Sequence, residues 1–130
     1  MTDLPKLKFR KLAGTYAIVH LASSAAVPSW AMKGEFTSVT RTTDELSIIC
    51  PTQNLPPDVT SSHRWISLKL EGPFPFSQTG VLLAFIEPLS TNRIPIFAIS
   101  TYDTDYVLIQ QEFLESSLKI LTAGGHEIAP

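Results

Sequence analysis

The sequence predicts an α+β protein of two ferredoxin-like βαββαβ units packed together, the first of them degraded. From Arg64 onward the hydrophobic pattern gives the order β-α-β-β-α with room for a last short strand, as in a split βαβ sheet covered by two helices. The part before it reads as strand, short helix, strand, strand. FTSVTRTTDELSII at 36–49 also aligns with FAISTYDTDYVLI at 97–109 across a one-residue gap, pairing Thr43-Asp44 with Thr104-Asp105. Two copies of one unit are the simplest account. We place the first copy, with a linker, in residues 1–62 and the second in 63–130.

The first half contains short strands and little helix. Alternating residues 6–12 predict an edge strand, and TYAIVHL at 15–21 predicts a core strand. Ser29 is expected to cap a short helical piece that Gly34 ends. Residues 36–41 and 45–50 predict two strands, and the proline-rich stretch 51–62 predicts a linker.

The second half supplies the helices. WISLKL at 65–70 alternates as a strand does, and GPFPF at 72–76 predicts an extended loop. Apolar residues at helical spacings predict helices over 77–89 and 112–122, the second ended by Gly124-Gly125. Between the helices, IPIFAI and YVLI predict two strands joined by a polar turn. Residues 126–130 offer a short final strand at most.

Composition excludes several classes of protein. A chain of 130 residues with 44% hydrophobic residues and a net charge of −2 is globular and has no general attraction to nucleic acid or membranes. Without an apolar leader or a long apolar run, a soluble cytoplasmic protein is expected. Cys50 predicts a small buried thiol. One basic cluster predicts the charged face of an edge strand, with a phosphate or RNA patch as the alternative; its members are Lys6, Lys8, Arg10 and Lys11.

The polar turn predicts a ligand site, because a hairpin needs only one or two polar residues to reverse the chain. The predicted helix start at 77–80 has no acid before Glu87, so its N–H groups and dipole are available to an anion. An acidic turn beside it would accept an ammonium, and a free amino acid carries both groups. The alternatives are that Ser77 or Thr79 only caps the helix, that Gly80 only packs, and that the aspartates bond their own turn. The candidate ligand-binding residues are Thr79, Gly80, Ser100, Thr101, Tyr102, Asp103 and Asp105.

The phrases SVTRTTDELSI and ISTYDTDY, with a Thr-Gly pair in the helix before the second phrase and an amphipathic helix after it, resemble the small bacterial tandem ACT-domain proteins. Within that family the chain is similar to the group allied to aspartate kinase regulatory domains and CASTOR-type amino-acid sensors. The resemblance covers roughly residues 12–125. It implies side-by-side pairing and non-catalytic binding of an amino acid at an ACT–ACT or subunit interface, with contacts from Thr79, Gly80, Thr101, Tyr102 and Asp105. The chain is half the length of the sensors, so the resemblance implies that a second copy completes the site.

Residue spacing gives little support to catalysis. His20, His63 and His126 are isolated, and neither a metal-ligand spacing, a nucleophile elbow nor a phosphate-binding loop occurs in the sequence. We therefore expect no enzyme activity, no metal and no cofactor. The prediction is a homo-oligomeric or partner-docking regulatory protein that senses an amino acid. The alternatives are an interaction module without a ligand, and a regulatory subunit of an amino-acid biosynthetic enzyme.

Overall fold

The computed structural model describes residues 4–75 and 77–130, and their contacts divide the chain into two compact units. The larger unit comprises residues 4–12 and 66–130, and the smaller unit comprises residues 13–65. The strands are β1 (Lys8–Lys11), β2 (Tyr16–Leu21), β3 (Ser38–Arg41), β4 (Leu46–Pro51), β5 (Trp65–Leu70), β6 (Ile96–Ser100), β7 (Asp105–Gln110) and β8 (Glu127–Ile128); the helices are α1 (Val81–Thr91) and α2 (Leu114–Ala123). This α+β content, with β-α-β-β-α-β from Trp65 onward, confirms the predicted fold class.

In the larger unit the strands lie in the order β6-β7-β5-β1-β8, with both helices packed on one face. Alternate residues of a strand point to opposite faces, so β5 turns Ile66, Leu68 and Leu70 toward the helices. There they meet Phe85 of α1 and Leu121 of α2, both fully buried. The opposite face of this sheet, which we call the outer face, therefore receives the side chains between them.

The first strand is not the edge strand that its lysines predict. β1 pairs antiparallel with β5, where Phe9 lies opposite Leu70, and parallel with β8, where Phe9 lies opposite Ile128. The reason is Phe9, which is fully buried with its ring 5.1 Å from that of Phe85. Burying one large aromatic side chain outweighs the edge preference of exposed lysines. The predicted division at residue 62 assigned this strand to the other half of the chain.

The smaller unit has the strand order β3-β4-β2 around its own apolar core. β2 pairs antiparallel with β4 so that Ile18 lies opposite Ile49, and Ala17, Val19 and Cys50 are buried in its core. Residues 13–65 contain no α-helix and have only the short 3-10 helices Ser29–Met32 and Thr52–Asn54. Pro28, not Ser29, is the cap residue of the first of these, and no side chain caps it.

The predicted linker 51–62 is part of the smaller unit rather than a connection outside it. The Asn54 side chain donates hydrogen bonds to the carbonyl oxygens of Trp30, at 3.0 Å, and Lys33, at 2.7 Å. These bonds hold the stretch onto the segment that follows β2. In the described part of the chain, no helix is both long and apolar enough to cross a bilayer.

Candidate functional site

The β6–β7 turn is tightly closed by threonines. Ser100 and Asp105 are the last facing pair of the hairpin, and the Thr101 amide donates to the carbonyl oxygen of Thr104 at 2.8 Å. The Thr101 hydroxyl donates to the same carbonyl oxygen at 3.0 Å. The Thr104 hydroxyl, on a residue only 7% exposed, donates to the Leu70 carbonyl oxygen at 2.7 Å. The turn is therefore fixed to the end of β5 and presents its remaining polar groups outward.

The loop that follows β5 lies directly against this turn. The Phe74 amide donates to the Asp103 carbonyl oxygen at 2.9 Å. A Cβ on Gly72 would lie 2.8 Å from the same oxygen, so only glycine allows this approach. Loop and turn together line two clefts.

Helix α1 begins at Val81, not at Ser77 as the hydrophobic pattern predicts. Gly80 is the cap residue in the left-handed conformation, with φ at 79°, and helical geometry starts only after it. Ser77 and Thr79 are exposed and precede the helix, so neither caps it. The first turn of α1 has no acidic residue and no side-chain cap. The anion-attracting helix start that the sequence predicts therefore exists, four residues later.

The first cleft joins this helix start to the turn. It has a volume of about 230 Å³ and is lined by Phe74, Pro75, Gln78 and Val81 on one side and by residues 100–105 on the other. The predicted residues of the turn, Ser100, Thr101, Tyr102, Asp103 and Asp105, all line it. Thr79 and Gly80 do not belong to its lining.

The two aspartates of the turn differ in their partners. The Asp105 carboxylate accepts a hydrogen bond from the Ser100 hydroxyl across the hairpin. The Asp103 side chain is exposed, and its carboxylate accepts no hydrogen bond from any residue in 4–75 or 77–130. The alternative of an aspartate that bonds its own turn is therefore not observed for Asp103, since the Thr101 hydroxyl fills that role. Tyr102, at the tip, is 79% exposed.

The smaller unit has an equivalent turn, but it is not aligned as the sequence comparison predicts. The Thr42 amide donates to the Glu45 carbonyl oxygen at 2.9 Å, and the Thr42 hydroxyl accepts from the Asp44 amide at 3.1 Å. Thr42 thus corresponds to Thr101, and Asp44 to Asp103. The predicted pairing of Asp44 with Asp105 is wrong by two residues.

The position of Asp105 is taken in the smaller unit by Leu46, which faces Arg41 across its hairpin and is fully buried. A carboxylate at the position of Asp105 is thus specific to the larger unit.

The second cleft also borders the turn and was not predicted. It has a volume of about 270 Å³ and shares Thr101, Asp103 and Thr104 with the first. Its other walls come from Lys69, Glu71, Gly72, Pro73 and Tyr106. The alternation of β5 could have placed Lys69 on the outer face, but no local pattern shows that Tyr106 of β7 stands next to it.

His126 and Cys50 fill structural positions. Nδ1 of the buried His126 accepts a hydrogen bond from the Leu7 amide at 3.0 Å, so Nε2 carries the proton and donates to the Ala84 carbonyl oxygen at 3.0 Å. His20 and His63 are exposed. Burial raises the pKa of the Cys50 thiol, which disfavours the reactive thiolate. No cluster of three or more potential metal ligands occurs in residues 4–75 and 77–130.

Comparison with known proteins gives the family. Residues 60–123 match the model of the ACT domain, and residues 14–58 match the model of an N-terminal domain. Protein Atu0741 from Agrobacterium tumefaciens is 44% identical to this chain, with a TM-score of 0.90, over 96% of this chain and 93% of its own. The chain belongs to the family of Atu0741 and contains an ACT domain.

Two more distant structures share the fold of this ACT-domain protein. VC0802 from Vibrio cholerae, a protein of unknown function described as a possible transport protein, is 19% identical with a TM-score of 0.74, over 91% of this chain and 89% of its own. The aspartate kinase of Clostridium acetobutylicum, described as an allosteric enzyme, is 10% identical with a TM-score of 0.62, over 95% of this chain but 36% of its own. None of the curated proteins matches. An ACT domain indicates a regulatory role rather than a catalytic one.

Proposed function

We propose that this protein is a non-catalytic regulatory sensor that binds a free amino acid in the first cleft. The observation that carries the proposal is the pairing of an uncapped helix start with an acidic turn across one open cavity. The first N–H groups of a helix have no intrahelical partner, so those of α1 can donate hydrogen bonds to the α-carboxylate of a ligand. Asp105 and Asp103, on the other wall, can accept its α-ammonium.

The charges of the first cleft favour this orientation over the reverse. Among the residues that the structure describes, its lining includes two carboxylates and no lysine, arginine or histidine. The bond from Ser100 occupies only part of the acceptor capacity of Asp105, because a carboxylate has about four acceptor sites. Tyr102 and Phe74 supply apolar surface that a ligand side chain can cover. Sensing then follows from any difference in affinity between two arrangements of the protein.

Thermal unfolding with each proteinogenic amino acid tests the proposal. A ligand that binds only the native state adds about 2.7 kcal/mol of stability at a concentration about a hundred times its Kd. Asp105→Asn should remove the part of this stabilisation that binding in the first cleft supplies, whereas Asp44→Asn, in the turn of the smaller unit, should leave it intact. If no amino acid stabilises the protein, or if Asp105→Asn binds as well as the unchanged protein, the first cleft is not the sensing site.

A second candidate function is assembly through the edge of the larger unit's sheet. Within the described chain β6 pairs only with β7, and its sequence IFAIS has neither a charge nor a proline to block pairing with another strand. ACT domains generally oligomerise, and a second copy added at β6 would place two turns on one sheet. Sedimentation of an Ile99→Lys variant tests this candidate, because a charge on this strand should convert a dimer to a monomer. An unchanged mass would exclude β6 as the interface.

A further inference from the structure

The outer face of the larger unit's sheet carries a local excess of positive charge. In the register of β1 with β5, Arg10 lies directly opposite Lys69, and like charges in facing positions repel. Arg10 is compensated by Glu71, whose Oε1 lies 3.8 Å from the arginine Nε. No carboxylate in residues 4–75 and 77–130 forms such a pair with Lys69, whose Nζ lies 5.9 Å from the centroid of the Tyr106 ring, a cation–π distance.

Lys69 and Asp103 are therefore a matched but separated pair of charges. Both line the second cleft, yet no ion pair within 4.0 Å joins them in the part of the chain that the structure describes. Over the same residues, the Lys69 ammonium forms no hydrogen bond and the Asp103 carboxylate accepts none. An ammonium and a carboxylate that face one cavity and do not reach each other can be bridged by a molecule bearing the opposite charges at its two ends.

We propose that the second cleft is a further ligand site, which binds a small zwitterion of the α-amino acid class. Lys69 binds the carboxylate of the ligand, and Asp103 binds its ammonium. Tyr106 forms the apolar wall beside the ligand side chain, and Thr101 and Thr104 hold the Asp103 backbone in place through their hydrogen bonds within the turn and to β5. The volume of about 270 Å³ is suited to a single small metabolite rather than to a peptide or a nucleotide.

A ligand in the second cleft would affect binding in the first. Asp103 lines both clefts, and its single negative charge cannot neutralise two ammonium groups at once. Ligands in the two clefts should therefore oppose each other, and each lowers the affinity for the other by the same factor.

Variants specific to each cleft separate the two sites. Lys69 lines only the second cleft and Asp105 only the first. ¹H–¹⁵N and aromatic NMR spectra would be recorded with each proteinogenic amino acid, for the unchanged protein, Lys69→Met and Asp105→Asn. Lys119→Met, at an exposed lysine of α2, is the matched control for the loss of one cation.

The expected result is a set of ligand-induced shifts at Tyr106 and at the amides of residues 69–72. The affinity that these shifts report should fall about tenfold or more in Lys69→Met and should be unchanged in Asp105→Asn and Lys119→Met. The methyl ester and the N-acetyl form of the best-binding amino acid should each lose these shifts, since each lacks one charge. If Lys69→Met does not give a folded spectrum, Lys69→Gln takes its place.

Two outcomes would overturn the proposal. Shifts confined to residues 78–82 and the turn, insensitive to Lys69→Met, mean that only the first cleft binds, and the proposed sensing function then stands alone. Absence of shifts at Tyr106 with every amino acid means that the second cleft binds none. Shifts at Tyr106 without any at residues 78–82 would instead show that the second cleft binds an amino acid and the first does not.

Discussion

Replacing His126 with leucine should lower the free energy of unfolding by about 2–4 kcal/mol. The imidazole joins the Leu7 amide to the Ala84 carbonyl oxygen, both at 3.0 Å, and it is only 5% exposed. Leucine has a similar volume but no polar atom, so it leaves one buried donor and one buried acceptor without partners. Each such group costs about 1–3 kcal/mol, and the added apolar burial of leucine returns part of that sum.

Urea denaturation followed by circular dichroism measures this loss, and His20→Leu is the control. His20 is exposed, so its replacement should change stability by no more than about 0.5 kcal/mol. His126→Gln, whose amide offers both a donor and an acceptor, should recover part of the loss. If His126→Leu is no less stable than His20→Leu, the two hydrogen bonds do not hold residue 7 and α1 together as we infer.

Three further outcomes follow from single positions. Thr104→Val should destabilise the protein by about 1–3 kcal/mol in thermal unfolding, because it leaves the Leu70 carbonyl oxygen without its donor. Thr104→Ser keeps the hydroxyl and should lose clearly less stability. Equal losses in the two variants would contradict this. Gly80→Ala should lower the free energy of unfolding by about 1 kcal/mol, since φ at Gly80 is 79°. Gly124→Ala, where φ is −78°, should lower it by less in the same measurement. The reverse order would refute the assigned helix start. Cys50 should react with a thiol reagent only after unfolding, because burial shields the thiol and raises its pKa above the ordinary value of about 8.5. Rapid labelling of the native protein would show that Cys50 is accessible.

Local patterns were sufficient for most of the fold. β5 was predicted with both its ends, because WISLKL alternates and is bounded by polar residues and a glycine. The helix ending before Gly124-Gly125 was found for a similar reason: an apolar stripe at helical spacing marks both the element and its buried face.

Features that depend on distant partners were not accessible from the sequence. The place of β1 inside a sheet depends on Phe9 meeting Phe85, far along the chain. The start of α1 was placed too early because Ser77 is a residue type typical of helix caps, and the sequence does not reveal that Gly80 is left-handed. The turn residues of the first cleft were found from their density of polar groups. Lys69 and Tyr106 were missed because each belongs to an ordinary strand, and only strand pairing brings them together.

The position of β1 decides how this protein can be divided experimentally. A fragment that starts near residue 63, as the ACT match alone would suggest, omits the strand to which both β5 and β8 bond. Two unpaired edges and an empty space for one phenylalanine ring would then face solvent, a combination that promotes self-association. An isolated ACT unit that keeps the native strand pairing must instead join residues 4–12 to residue 66 through a designed connection, so that β1 is in place between β5 and β8 before any ligand is added.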